Sequence, residues 1–151
     1  MKKRKIDLGT GCNYRCFYCK ACFREGQHLS VEEAAGLCEE AADLGAEHIE
    51  LGGGEPLLYP ELSRLIQEIR KQDRIKSISV STNGSLLKDR ISELTAAGLD
   101  EINLHMDVPD AGAYARITGR TQVLNDILSV IWSANAKNIP LTVSVYLHQE
   151  S

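Results

Sequence analysis

Apolar residues along this chain switch between two spacings, and the switching lays out the elements. Ile6-Asp7-Leu8 predicts the start of a short strand. Ser30-Val31-Glu32-Glu33 is a capping box, in which the serine bonds forward and the glutamate reaches back to open a helix. Behind it Ala34, Leu37, Cys38, Ala41 and Ala42 recur at helical spacing until Gly45 stops the run. Ile49 and Leu51 mark a second strand that runs into Gly52-Gly53-Gly54-Glu55-Pro56. Pro60 suits a first helical position, and Leu62, Leu65, Ile66 and Ile69 form the apolar face of the second helix. Ile75, Ile78 and Val80 lead a third strand to Thr82-Asn83-Gly84, and a helix carrying Leu87, Ile91 and Leu94 closes at Gly98. Ile102, Leu104 and Met106 predict a fourth strand. Val123, Leu124, Ile127, Leu128 and Ile131 stripe a long helix, and residues 141–147 form a fifth strand.

Strands alternating with amphipathic helices imply an α/β fold with a parallel sheet and right-handed crossovers. The expected architecture is a partial (β/α) barrel of about five strands and four helices, in one domain spanning residues 1–151. Residues with chemical potential fall just after strands one to four. Parallel α/β sheets and barrels place their sites there, at the carboxyl ends of the strands.

Composition narrows the classes of function. The 151 residues are 43% hydrophobic and 25% charged, an ordinary globular balance, and the net charge of −4 advertises no nucleic-acid partner. Met1-Lys2-Lys3-Arg4-Lys5 runs into a strand without the apolar core of a secretory signal, and no apolar run approaches the ~20 residues of a membrane span. A cytoplasmic protein without a membrane partner is expected. Five cysteines, three or four of them crowded near the N-terminus, point in a reducing compartment to metal binding or catalysis rather than to disulfides.

Cys12, Cys16 and Cys19 are spaced C-x3-C-x2-C immediately after the first strand. Short spacings let one loop wrap a compact metal centre, and three thiolates would leave one iron of a [4Fe–4S] cluster open, as a catalytic zinc site keeps one position open. Cys22 adds a further C-x2-C step, which leaves a closed four-thiolate site of Cys12, Cys16, Cys19 and Cys22 as the alternative: a non-catalytic iron–sulfur or zinc module. Cys38 sits on a helical apolar stripe and reads as core packing. In the glycine run, absent side chains let a ligand approach the backbone, and the Glu55 carboxylate is suited to an ammonium group. The G-x-G-x-x-G and Walker spacings of nucleotide-binding loops are missing. Asn103, His105 and Asp107 alternate with Ile102, Leu104 and Met106, so one set points into a barrel-like interior.

The cysteine spacing, with aromatic Tyr18 before the third cysteine, resembles the signature of the radical S-adenosylmethionine (SAM) superfamily. Gly53-Gly54-Glu55-Pro56, one β/α unit later, resembles that family's G-G-E-P motif, and Thr82-Asn83-Gly84 resembles its third-strand turn. The resemblance implies a [4Fe–4S] cluster on Cys12, Cys16 and Cys19, with Cys22 a bystander. It implies S-adenosylmethionine as cofactor, cleaved reductively to a 5′-deoxyadenosyl radical. Tyr18 is then expected to meet the adenine with its backbone, and Gly53, Gly54 and Glu55 the amino group. Thr82 and Asn83 would lie near the carboxylate end, and His105 and Asp107 near the ribose.

Leu51 to Leu58, Ser81 to Gly84, Ala97 to Leu104 and Arg116-Ile117-Thr118-Gly119-Arg120 are similar to the GTP 3′,8-cyclase branch, which are lyases of molybdenum-cofactor biosynthesis; peptide-modifying relatives share much of the rest. That similarity implies a small-molecule or peptide substrate and an electron donor of flavodoxin or ferredoxin type. Against the family's six-unit barrel and the cyclases' C-terminal substrate-binding region, the chain is expected to be truncated. Its fifth strand is expected to be a bare edge prone to self-association.

Overall fold

The computed structural model describes residues 2–14, 16, 19, 27–106, 115–116 and 124–144. Tyr18, Cys22, Asp107, Val123, the 117–120 segment and the far end of the fifth strand lie outside them. Among the described residues five parallel strands stand in chain order: β1 (Lys3–Asp7), β2 (His48–Gly52), β3 (Ser77–Thr82), β4 (Glu101–His105) and β5 (Leu141–Ser144). Helices α1 (Val31–Asp43), α2 (Leu62–Arg70), α3 (Leu87–Ala97) and α4 (Leu124–Ala136) alternate with them, each packed on its neighbour. Strand order that never reverses is the winding of a barrel rather than of a doubly wound sheet. The partial β/α barrel expected from the sequence is what forms.

Local chemistry accounts for two of the helix ends. The Ser30 hydroxyl accepts from the Glu33 amide at 3.1 Å, and Glu33 accepts from the Ser30 amide at 2.8 Å, so the capping box is complete. Gly98 ends α3 in the left-handed conformation, φ 110°.

Four expectations shift. β1 begins at Lys3, not Ile6, because the alternating Lys3 and Lys5 can face solvent on an edge strand. Helix α2 begins at Leu62: a 3-10 turn, Pro56–Leu58, and the Leu62 amide bonding to the Tyr59 carbonyl leave Pro60 in the preceding turn. Leu37 is 40% exposed, so Val31 rather than Leu37 completes the buried stripe of α1. On α4 the buried set is Ile127, Val130 and Ala134, and Leu128 falls outside it.

The sheet has two unlike faces. Ile49, Leu51, Ile78, Val80 and Ile102 are buried under the helices. The strand register puts the opposite, polar residues side by side: Lys5, Glu50, Ser79 and Glu101 in one row, Ser81, Asn103 and Thr142 in another. The serines of β3 are short, which lets longer side chains meet over them. Asn103 Nδ2 donates to Glu50 Oε2 at 2.8 Å across β3, and Lys3 pairs with the same carboxylate. The His48 ring meets Ser79 Oγ at 2.8 Å; burial, then Lys3, holds its pKa below the ordinary histidine value, so it sits there neutral. Asn103 and His105 belong to this polar face, as their alternation with Ile102 and Leu104 implies. Among the described residues no helix is long and apolar enough to cross a membrane.

Candidate functional site

The loops after β1, β2 and β3 are joined at the carboxyl ends of their strands. Beyond Asp7, the Leu8 amide still bonds to the Gly52 carbonyl at 2.9 Å. The ladder then continues outside the sheet: Gly54 N–H donates to Gly9 O at 3.0 Å and Glu55 N–H to Gly11 O at 2.7 Å. This close approach explains the glycines. Gly53 has φ 132°, and a β-carbon there would lie 2.6 Å from the Gly9 carbonyl oxygen; a β-carbon on Gly54 would overlap the Gly11 carbonyl. What approaches these two glycines is the backbone of the cysteine loop itself.

Glu55 is 4% exposed and collects three donors. Its Oε1 accepts from Leu57 N–H at 3.0 Å and from Thr82 Oγ1 at 2.5 Å, and its Oε2 accepts from Asn83 N–H at 2.8 Å. Burial pushes its pKa above the usual carboxylate value, while the three hydrogen bonds oppose that rise. The side chain therefore caps the 3-10 turn on one side and grips the β3 turn on the other. From α3, Arg90 Nη1 donates to the carbonyls of Leu57 and Tyr59 at 2.7 and 2.9 Å, pinning the same turn.

Asn83 links this assembly to the cysteines. Its Nδ2 donates to Asn13 Oδ1 at 2.9 Å, and Asn13 Nδ2 donates to Ser85 Oγ at 2.8 Å. Ser85 Oγ in turn donates to Asn83 Oδ1 at 2.7 Å, closing a three-residue ring. The same Asn83 amide group lies 4.0 Å from Cys12 Sγ, which also faces the Tyr14 N–H at 3.5 Å. Tyr14 is buried with Leu104, Met106 and Ile127, and Cys12 and Cys16 border that cluster. Cys12 and Cys16 are half-buried and Cys19 is exposed, its amide bonded to the Cys16 carbonyl at 3.0 Å.

Sequence reasoning singled out Cys12, Cys16, Cys19, Gly53, Gly54, Glu55, Thr82 and Asn83, and the fold brings them to one edge. His105 is one strand further, its Nε2 2.6 Å from Ser81 Oγ on the polar face. Asn13, Tyr14, Ser85 and Arg90 were not anticipated as site residues. The cysteine loop carries three aromatic residues, Tyr14, Phe17 and Tyr18, so the sequence alone did not single out Tyr14. Cys38 is fully buried in α1, and burial pushes its thiol up to about 12, in keeping with core packing.

Among the described residues no three histidine, cysteine or acidic side chains are gathered into a metal-sized group. Cys12, Cys16 and Cys19 are thus joined by their loop without already converging on one point. Metal sites commonly complete themselves on binding. The donor chemistry fits a soft centre: three thiols on one loop, one of them flanked by N–H groups that favour a thiolate.

Fold and site together define a class: a parallel β/α core whose functional edge combines a cysteine loop with a glycine loop. The sequence profile of the Radical SAM superfamily matches residues 6–151, and the chain belongs to that superfamily. It is similar to the probable GTP 3′,8-cyclase of Methanococcus maripaludis strain C6, 37% identical over 117 residues, covering 76% of this chain and 39% of that protein. It is also similar to the probable GTP 3′,8-cyclase of Methanocaldococcus jannaschii, 31% identical over 95% of this chain and 49% of that protein. The chain thus spans half or less of the length of these relatives. Among solved structures, the FeFe-hydrogenase maturase HydG from Carboxydothermus hydrogenoformans superposes with a TM-score of 0.77 at 20% identity, over 95% of this chain and 35% of that one. BtrN, solved in complex with AdoMet and 2-DOIA, gives 0.72 at 18% identity over 97% and 57% of the two chains.

Proposed function

We propose that residues 1–151 form a radical SAM core in which Cys12, Cys16 and Cys19 hold a [4Fe–4S] cluster beside a bound S-adenosylmethionine. The observation that carries this reading is the backbone zipper between the cysteine loop and Gly53-Gly54-Glu55. It ties the loop that carries the thiols to the glycine wall by backbone hydrogen bonds at the carboxyl ends of β1 and β2. A bound cluster would supply the single electron that cleaves the cofactor's sulfonium, leaving methionine and a 5′-deoxyadenosyl radical. The chain's own part is to bind and orient. Gly53, Gly54 and Glu55 form the wall beside the amino group, and with the Glu55 carboxylate buried on three donors the contact falls to backbone rather than to that side chain. Thr82 and Asn83 hold that wall from β3, and His105, with Ser81, offers polar groups toward the ribose; Tyr18 and Asp107 complete the adenine and ribose contacts.

The polar face of the sheet, with Glu50, Asn103 and His105, is where a polar substrate meets the radical. The cyclase similarity makes a GTP 3′,8-cyclase-like lyase activity, on a small molecule or in a peptide-modifying variant, the preferred assignment for the whole protein. It would be cytoplasmic and draw electrons from a flavodoxin- or ferredoxin-type donor.

Anaerobic reconstitution followed by electron paramagnetic resonance tests this. A reduced [4Fe–4S] spectrum that changes on adding S-adenosylmethionine is expected. A spectrum indifferent to the cofactor, or a zinc-only protein, would overturn the reading.

A further inference from the structure

Asn83 has no side-chain valence left for a ligand. Its Oδ1 takes the Ser85 N–H at 3.0 Å and the Ser85 hydroxyl, and its Nδ2 serves Asn13 and faces Cys12 Sγ. Its backbone N–H is held by Glu55. We propose that Asn83, through the ring with Asn13 and Ser85, is a positioning residue. It latches the cysteine loop onto the β3 turn and donates an N–H to the Cys12 sulfur, retaining the cluster and raising its reduction potential. The proposal rests on the reading of Cys12 as a cluster ligand.

Three arguments support it. The ring joins residues 70 and 72 positions apart in sequence, so it ties two loops that chain connectivity leaves independent. All three members are neutral, so each bond is geometric rather than charge-driven and fails when one partner is shortened. Hydrogen bonds to cluster sulfurs are a recognised control of iron–sulfur potential, since they favour the more negative reduced state.

The test uses the full chain with Asn83→Ala, Asn13→Ala and Ser85→Ala. In the cluster-free protein, amide hydrogen exchange at Glu55, which donates to Gly11 across the two loops, reads the latch directly. Exchange about tenfold faster in Asn83→Ala and Asn13→Ala is expected, with the double variant no worse than either single. Unchanged exchange overturns the latch whether or not any cluster binds. In reconstituted protein, Asn83→Ala should lose iron to a chelator about 10- to 100-fold faster and titrate at a more negative midpoint potential. Ser85→Ala, which removes two ring bonds but keeps the Asn83 amide beside Cys12, should shift the potential less than Asn83→Ala does. An unshifted potential in Asn83→Ala overturns the sulfur contact. A wild-type chain that takes up no cluster rejects the functional reading, and the exchange measurement still decides the latch.

Discussion

The first three strand ends and the β5 edge are built on opposite plans. At the first, the loops after β1, β2 and β3 consume one another's hydrogen bonds: Glu55 has three donors, Asn83 closes a ring, and glycine backbones lie against backbone. At the second, apolar surface stands open. Trp132 on α4 is 75% exposed, and Ile131, Trp132, Ile139, Pro140 and Leu141 line a groove of about 420 Å³. Val143 on β5 is 42% exposed. The contrast shows where rigidity has been invested. A site that must hold ligands in register is fixed by polar bonds of defined direction, whereas the far edge offers non-directional surface suited to being covered.

The largest effect should come from filling the glycine contact. Gly54→Ala should destabilise the chain by about 3 kcal/mol or abolish folding, since the Thr10–Gly11 backbone already occupies the space of the added methyl. Chemical denaturation measures it, and a change below about 1 kcal/mol would show that the loops are not locked together.

Next, Glu55→Gln replaces one acceptor by a donor facing the Asn83 N–H, and should cost about 1–3 kcal/mol. Its pH dependence has a definite sign. Glu55 is raised above its ordinary value of 4.5, so its own contribution to stability is present below that pH. That contribution is lost as pH rises through the elevated folded-state value. The stability difference, wild type minus Glu55→Gln, should therefore fall as pH rises above about 4.5. A difference that grows with pH would mean that the three donors outweigh burial.

At the open edge, Trp132→Glu should change stability by no more than about 0.5 kcal/mol, because the ring is mostly in solvent. The wild-type chain should self-associate through its β5 edge, and this variant should do so less. Light scattering during size exclusion checks both, and a wild-type monomer at all concentrations would remove the edge from consideration.

The smallest change expected is a gain. Gly36→Ala, inside α1 with no atom within 4 Å of the added methyl, should stabilise by about 0.5–1 kcal/mol in thermal or chemical unfolding.

Legibility in the sequence followed the range of the interactions. The capping box, the stripe of α2 and the Gly98 stop rest on neighbours three or four residues apart, and they were readable. So was the cysteine spacing, which is local by nature. The start of α2 was misread because Pro60 fits a first helical position and a turn position equally well. Leu37 was misread because helical spacing alone leaves the edge of a stripe undefined. The role of Gly53 and Gly54 needed the β1–β2 register, which sets Asp7 beside Gly52 and carries the cysteine loop over the next two residues. The Asn13–Asn83–Ser85 ring is a tertiary product with no local signature.

The most direct test of the account is the iron and sulfide content of reconstituted cysteine variants. The account predicts about four iron per chain in the wild type and in Cys22→Ala. It predicts loss of the cluster in Cys12→Ala, Cys16→Ala and Cys19→Ala, with these three and Cys22→Ala all folded by circular dichroism. Equal loss in Cys22→Ala would mean a closed four-thiolate centre and would contradict an iron left open for S-adenosylmethionine.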